Sequence, residues 1–503
     1  MLEFFRKWRQ IPDFTHTANF FDVLYGIIGW SLVQVLGYGV RFLDLFGLGL
    51  NRKWKPGEKL QVLFLAYSGA RNTGAEVRVA ECIDQVNQVL GEDAVDINMT
   101  TLNLEEAQEY FKHNKVNLMP MNYVFFWDVF KFVLKNHMVV LVEGSCWKEN
   151  FAAALLLFFL YGVGLAEKLG KPSFSYAVDA GQMNKFNNFL SWNLSKGMTR
   201  LITRTQPAKE VLEKIFLPGA IVRVDTAWTL RPNPPDWGIA TLKKLGWDGQ
   251  KPLVGLAMQN FFWWPVIPDF VRFLKGDKEY NYRLIYYYDY DEEDRKKYQK
   301  WAAMLAGLMD WVTEKYQVQP VLVAMEALDE TSCKDVMALM KHQPLLVSCN
   351  QFVGVEIASM LRNLHLLVTT RYHAMVLSMP GLIPFIGLSR DERIRGVMLE
   401  TKLYEDYYAD YSRDDLPELL RQKVSRLMED QAERERMKKI IREWLPYYFA
   451  QMARLGLDIR KIVQECFPAL KLKPLDENDP AQLEPFVPPE LKQDIRKKYL
   501  ELN

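Results

Sequence analysis

Twice along this chain, apolar runs of strand length alternate with stretches of helix length, and that alternation dictates a mostly parallel sheet in each half. After Pro56-Gly57 the first series runs QVLFLAY (61–67), VDINMTTL (95–102), MVVLVEG (138–144), PSFSYAV (172–178), RLITRT (200–205) and AIVRVD (220–225). The second runs PLVGLAM (252–258), YRLIYYY (282–288), PVLVAME (320–326), PLLVSCN (344–350), HLLVTTR (365–371) and IPFIGLS (383–389). Between them, Arg231-Pro232-Asn233-Pro234-Pro235 reads as a linker, because it cannot continue a helix or a sheet. With 503 residues and 49% hydrophobic content, the chain can bury two cores rather than one. The expected α/β organisation is a first domain over 57–230, a linker over 231–250 and a second domain over 251–412, with a cleft between the two sheets. Residues 413–503 read as charged helices and a Pro- and charge-rich tail.

Composition excludes some classes of function. Lys and Arg number 63 against 62 Asp and Glu, a balance that argues against a nucleic-acid protein relying on broad counterion release. Five scattered cysteines without a C-x-x-C pair suit a reducing compartment, and neither they nor the six histidines have metal-ligand spacing. No metal or cofactor is expected. The segment AAALLLFFLYGVGLA (152–166) is short for a membrane span and reads as a core helix.

The amino-terminal 56 residues differ from the rest. Val23 to Val40 carry no charge, and basic residues lie on both sides, Arg6, Lys7 and Arg9 before and Arg52, Lys53 and Lys55 after. Glycines weaken the segment as a simple span, and the two-sided positive charge gives no orientation. Two readings of residues 19–50 fit: an in-plane or re-entrant contact with a membrane surface, or a buried helical hairpin on the first domain. The expected location is cytoplasmic, with peripheral attachment to the inner face of the membrane under the first reading.

The chemistry concentrates where strands end. HLLVTTR ends in Arg371-Tyr372-His373, a planar cation beside a group that titrates near neutral pH, at the carboxyl end of a buried strand. Arg204 ends an earlier run, and Asp391 and Arg393 follow a later one. Two guanidiniums facing each other across a cleft would suit a small, multiply charged ligand. Taken singly, each arginine also fits a salt bridge, and His373 also fits a packed helix cap. The loop Gly69 to Glu76, containing Asn72, matches neither the dinucleotide fingerprint nor the P-loop and alone reads as an ordinary glycine turn. Phe261-Phe262-Trp263-Trp264 reads as packing in preference to a sugar platform.

In order, GARNTGAE (69–76), VLVEGS (140–145), LITRTQPAKEVL (201–212), VRVDTAW (222–228) and VTTRYHAMVLSMPGLIPFIGLSRDERIRG (368–396) resemble the motifs of the polysaccharide pyruvyl transferase family. The last block is the most specific. The resemblance implies two Rossmann-like domains in a GT-B-like arrangement, with phosphoenolpyruvate as co-substrate and a sugar diol as acceptor. The product it implies is a pyruvate ketal on a cell-envelope glycan or glycolipid, as in exopolysaccharide biosynthesis. It makes His373 the general acid/base and Arg204 and Arg371 the hosts of the donor's anionic groups. Arg393 stands where the family has lysine, and Asn72 and Gly144 fall in its glycine-containing motifs as substrate contacts. Departures are Ala75 for an acidic residue, Glu143-Gly144-Ser145 for a glycine triplet, and Tyr372 for leucine. The competing readings are a GT-B-type nucleotide-sugar glycosyltransferase and a non-catalytic, membrane-associated glycan-assembly protein.

Overall fold

The computed structural model describes residues 2–16, 18–389 and 391–502, with side chains from residue 6 onward. The first sheet is built from β1 (Leu60–Ser68), β2 (Val95–Thr101), β3 (Asn117–Pro120), β4 (Met138–Leu141) and β5 (Ser173–Ser175), in the order β3-β2-β1-β4-β5. All its pairings are parallel. The runs read as RLITRT and AIVRVD supply only a short parallel pair, β6 (Ile202–Thr203) and β7 (Ile221–Val222), outside that sheet.

β8 (Leu253–Ala257) starts the second sheet, which continues with β12 (Gln319–Ala324), β13 (Leu345–Ser348), β14 (Leu366–Thr369), β15 (Phe385–Ser389) and β16 (Tyr408–Asp410). Its order is β13-β12-β8-β14-β15-β16, again all parallel. Between β8 and β12 the chain makes an excursion, β9 (Val266–Pro268), β10 (Asn281–Arg283) and β11 (Tyr286–Tyr288), which forms an antiparallel three-stranded sheet. YRLIYYY is therefore a hairpin folding back at Leu284, whose φ of 49° reverses the chain, and not a strand of the parallel sheet. The excursion docks on the first half: Val266 N–H donates to Phe151 O at 2.7 Å, and the Tyr67 and Tyr282 hydroxyls meet at 2.6 Å.

In both sheets the strand order reverses beside the first strand, between β1 and β4 and between β8 and β14. Crevices of open α/β sheets form at the carboxyl ends of strands flanking such a reversal. The loop 69–72, residues 143–145 and residues 370–373 all leave from these ends.

The Pro-rich stretch expected as a linker leads directly into a helix. Pro235 begins the helix Pro235–Lys244, a first-turn position where the missing N–H costs nothing. At the carboxyl end, the long helix Gln431–Cys466 ties the halves together. Gln85 Nε2 donates to Met452 O at 2.8 Å, Arg460 to Val89 O at 2.6 Å, and Tyr448 stacks on Trp228 at 3.8 Å while donating to Glu400.

Residues 19–50 form no hairpin. One helix, Phe20–Leu45, lies on the helices Ala153–Lys168 and Lys185–Ser195, burying Tyr25, Gly26, Gly29, Val33, Gly37 and Val40 at helical spacing. Ala153–Lys168 is a buried core helix, as its sequence suggested.

Candidate functional site

A cavity of about 170 Å³ opens where the two sheets face each other. The first sheet contributes Asn72, Gly74 and Ala75 after β1, and Glu143, Gly144 and Ser145 after β4. The second contributes Met325 and Glu326 after β12, Arg371, Tyr372 and His373 after β14, and Arg393 after β15. Five of the six residues expected to form the site therefore line one cavity. The sixth, Arg204, is fully buried behind the wall, where a Cβ on Gly144 would come within 2.9 Å of its Nη1. Its expected place in the pocket facing Arg371 is thus corrected.

The arginines are also not the bare, mutually repelling pair that the sequence suggested. Arg204 donates to Asp225 at 2.5 Å and to Asp179 at 3.1 Å. Arg371 holds Glu326 at 2.9 Å and also Asp329, while Arg393 grips Asp391 through two nitrogens, Nε at 2.8 Å and Nη2 at 2.5 Å. A buried guanidinium without a counter-charge would be far costlier than these pairs. Unused donors remain: the Nε atoms of Arg204 and Arg371 are buried without a hydrogen-bond partner.

Asp225 organises the wall. It lies 2.8 Å from Arg78, a fully buried arginine, and 3.6 Å from His373 Nε2, besides its bond to Arg204. Burial pushes its carboxyl up, but Arg78, Arg204 and His373 together outweigh this and hold it well below the usual carboxylate range. Its own Oδ1 caps the turn at Thr226–Thr229 by accepting from Ala227 N–H, so the carboxylate is fixed in direction. Tyr372, in place of the family's leucine, lies between Arg204 and Arg393, whose guanidinium carbons are 5.5 and 5.1 Å from its ring centre.

His373 sits in the first turn of Tyr372–Ser378 and is buried apart from a small face on the cavity. Burial lowers its pKa to about 4, with Asp225 opposing the shift and Arg393 and Arg204 adding to it. The ring is therefore neutral at physiological pH. Its Nδ1 side presses on the chain at Gly74, where a Cβ would stand 1.9 Å from the nitrogen. That contact gives the glycine of the first loop a specific reason that a turn alone does not supply. Asn72 caps the following helix by accepting from Ala75 N–H at 3.1 Å.

Glu143 shifts the opposite way. Its Oε1 accepts from Gly144 N–H at 2.7 Å, but Oε2 is buried without a partner, and burial raises the pKa. Asp225, Asp329, Glu326 and Glu143 were all missed as site residues. AIVRVD ends in Asp225 and MVVLVEG carries Glu143 just past its strand, the same signal that singled out Arg371, so Asp225 and Glu143 were open to discovery.

The rest of the cavity is largely apolar and rich in aromatics, among them Tyr67, Phe125, Phe158, Trp264, Tyr282 and Tyr286. The run at 261–264 divides between roles, since Phe261 is core, against Trp301 and Tyr411, while Trp264 reaches the cavity.

This architecture is GT-B-like. A Listeria monocytogenes putative UDP-N-acetylglucosamine 2-epimerase superposes with a TM-score of 0.52 at 12% identity, covering 83% of this chain and 100% of its own. The S. aureus MnaA–UDP co-structure gives 0.53 at 11%, covering 83% and 99%. Anabaena Alr3699/HepE in complex with UDP-glucose gives 0.53 at 10%, covering 81% and 100%. At these identities the likeness is one of fold. None of the curated proteins compared with the sequence matches it. The family description Polysaccharide pyruvyl transferase matches residues 72–392, and the chain belongs to that family. It is accordingly a glycan-modifying transferase, with a sugar or glycan as acceptor.

Proposed function

We propose that this protein transfers the enolpyruvyl group of phosphoenolpyruvate to two hydroxyls of one sugar, forming a pyruvate ketal on a glycan and releasing phosphate. The observation that carries the reading is the meeting of Arg371, His373 and Arg393 with Glu143 in one cavity, within the span of the family match. A donor bearing a carboxylate and a phosphate needs charge-assisted hosts, and Arg371 and Arg393 are the cations on the cavity surface. Arg204 acts from behind the wall as a positioning residue, holding Asp225 against His373.

The opposed shifts of His373 and Glu143 support a division of the proton transfers between them, since environments that drive two titratable groups apart suit an acid and a base. In this reading Glu143, whose burial favours the protonated form, is the acid that protonates the methylene carbon of the enol, leaving an oxocarbenium-like centre. Neutral His373 takes the proton of the first sugar hydroxyl as its oxygen bonds to that centre. The second hydroxyl then closes the ketal as phosphate departs. One hydroxyl proton replaces the one given to carbon and the other leaves with phosphate, so the protons balance. The reading needs no other cofactor, and it puts the protein on the cytoplasmic side, where the donor is available.

The test is incubation of the purified protein with phosphoenolpyruvate and candidate glycans or glycolipids, following phosphate release and the pyruvate increment by mass spectrometry. Stabilisation by UDP-glucose and not by phosphoenolpyruvate would move the reading to nucleotide-sugar transfer. Binding of glycan without phosphate release would favour an assembly role.

A further inference from the structure

The helix Phe20–Leu45 carries apolar residues around most of its circumference, yet only one face is covered. The inner face is seated tightly, with Gly29 against Leu157 and Phe126 and Gly37 against Lys168. A helix so docked does not cross a bilayer, although it is long and apolar enough to do so. The outer face leaves Val35, Tyr38 and Phe42 more than half exposed, a stripe at helical spacing along about 10 Å of axis, with Leu24, Ile27 and Ile28 partly exposed nearer the amino end.

At its carboxyl end the stripe runs into a built apolar loop. Asp44 accepts from the N–H groups of Leu50 at 2.7 Å and Asn51 at 3.3 Å, closing a turn that displays Leu45, Phe46 and Leu48 at 83%, 72% and 58% exposure. Exposed Arg52, Lys53 and Lys55 follow at once. A projecting apolar tip with cations at its base is what an interface of hydrocarbon and anionic headgroups accommodates. Arg52 pairs with Glu58 at 2.8 Å, which leaves the charge at the base to Lys53 and Lys55, and a flat contact between two copies would not need the projection. The other end of the stripe adjoins the β9–β11 excursion, where Phe21 packs near Phe270 and the next turn exposes Leu274.

This face backs directly on the cavity. Tyr25, on the inner side of the helix, bonds through its hydroxyl to that of Tyr286 at 3.1 Å and packs edge-on to Phe125 at 6.3 Å. Phe125 and Tyr286 are cavity wall. One helix diameter, about 10 Å, separates the outer stripe from the aromatic half of the site.

We infer that the outer face of Phe20–Leu45 and its apolar loop lie in the plane of an anionic bilayer surface, and that the acceptor is a glycan carried on a lipid whose hydrocarbon stays in that bilayer. The acceptor half rests on the proposed transfer reaction; the docking half does not.

Co-sedimentation of the full chain with vesicles of phosphatidylcholine and of an equimolar phosphatidylcholine–phosphatidylglycerol mixture tests the docking. The protein is expected to pellet with the anionic vesicles. A Leu45→Ser/Phe46→Ser/Leu48→Ser variant should bind them weaker by about a hundred-fold or more. Lys53→Gln/Lys55→Gln should weaken binding by about thirty-fold. Both should retain the wild-type thermal shift with phosphoenolpyruvate, which reports an intact site. With acceptor glycolipid in the vesicles their turnover should fall, while turnover on a water-soluble fragment stays at the wild-type rate. Wild-type protein that stays in the supernatant overturns the docking, whether monomeric or as a dimer that the loop variant dissociates. Equal turnover of variants and wild type on vesicle-borne acceptor overturns the lipid-linked assignment. No turnover of phosphoenolpyruvate with any acceptor removes that assignment together with the reaction, while the vesicle result stands on its own.

Discussion

Replacing His373 with glutamine should make the protein less sensitive to acid, and the size of the effect follows from its burial. The imidazole has a folded pKa of about 4 against 6.5 when free, so the unfolded chain takes up a proton there before the native state does. A depressed folded pKa contributes stability that is complete above pH 6.5 and is lost as pH falls towards 4. At pH 5 the unfolded imidazole is about thirty-fold more protonated than free and the folded one hardly at all, which amounts to about 2 kcal/mol. Urea unfolding followed by tryptophan fluorescence at pH 8 and pH 5 measures it. Wild type should lose about 2 kcal/mol more than His373→Gln between these conditions. His137, another buried histidine lowered to about 4, provides the internal comparison, because its share of the loss persists in the variant. Bound phosphoenolpyruvate should shrink the wild-type loss, since a neighbouring anion raises the imidazole's pKa. Equal losses in wild type and variant would show that His373 is charged or hydrated in the native state, and its assignment as a neutral base would fail.

Other substitutions test the wall around it. Asp225→Asn leaves Arg78 with only backbone carbonyl partners and should cost about 3–5 kcal/mol in unfolding experiments. Asp179→Asn strips Lys148, 2.7 Å away, of its carboxylate and should also destabilise the protein, although Arg204 keeps Asp225. Glu143→Gln should still bind phosphoenolpyruvate calorimetrically, yet transfer about 10²–10⁴-fold more slowly. In heavy water it should also slow deuterium entry into the pyruvyl methyl group, and an unchanged rate would remove Glu143 as the acid. Gly74→Ala must displace His373 and should abolish transfer, with a stability loss of about 1–3 kcal/mol, measured by ketal yield and urea midpoint.

How much of this could be read from sequence varied with the reach of each contact. The two parallel sheets were legible because their strands are short apolar runs punctuated by helices, and that signal is local. Arg371 and His373 were legible for the same reason: a strand ends and a cation and an imidazole follow. RLITRT and AIVRVD looked equally strand-like, but each pairs over only two residues, Ile202–Thr203 and Ile221–Val222. Their remaining residues turn to deliver Arg204 and Asp225 to each other. Gly74 was unreadable beyond its turn, because its reason is a ring from the other sheet. Likewise, nothing local says that Arg371 will meet Glu326 and Asp329, which begin a helix after a different strand. The amino-terminal segment was half legible: its apolar character was plain, but the division into a glycine-lined buried face and an exposed one depends on the helices beneath it.

The arrangement around Arg371 carries a consequence for binding. One guanidinium stands between two carboxylates, Glu326 and Asp329, so it cannot neutralise both. Burial, with Glu326 adding to it, raises the Asp329 pKa above the usual carboxylate range despite the arginine. A donor that brings its own negative charge to Arg371 competes with both carboxylates and adds to the surplus, which a proton on Asp329 relieves. His373, also facing the incoming anion, is shifted towards its charged form by the same event. Binding of phosphoenolpyruvate should therefore take up protons, and its affinity should fall as pH rises from 6 to 8. Titration calorimetry in buffers of different ionisation enthalpy measures the uptake as the slope of apparent enthalpy against buffer enthalpy. Asp329→Asn should reduce that slope and flatten the pH dependence. A slope of zero in the wild type would mean that the carboxylates stay on Arg371 and the donor is held elsewhere in the cavity.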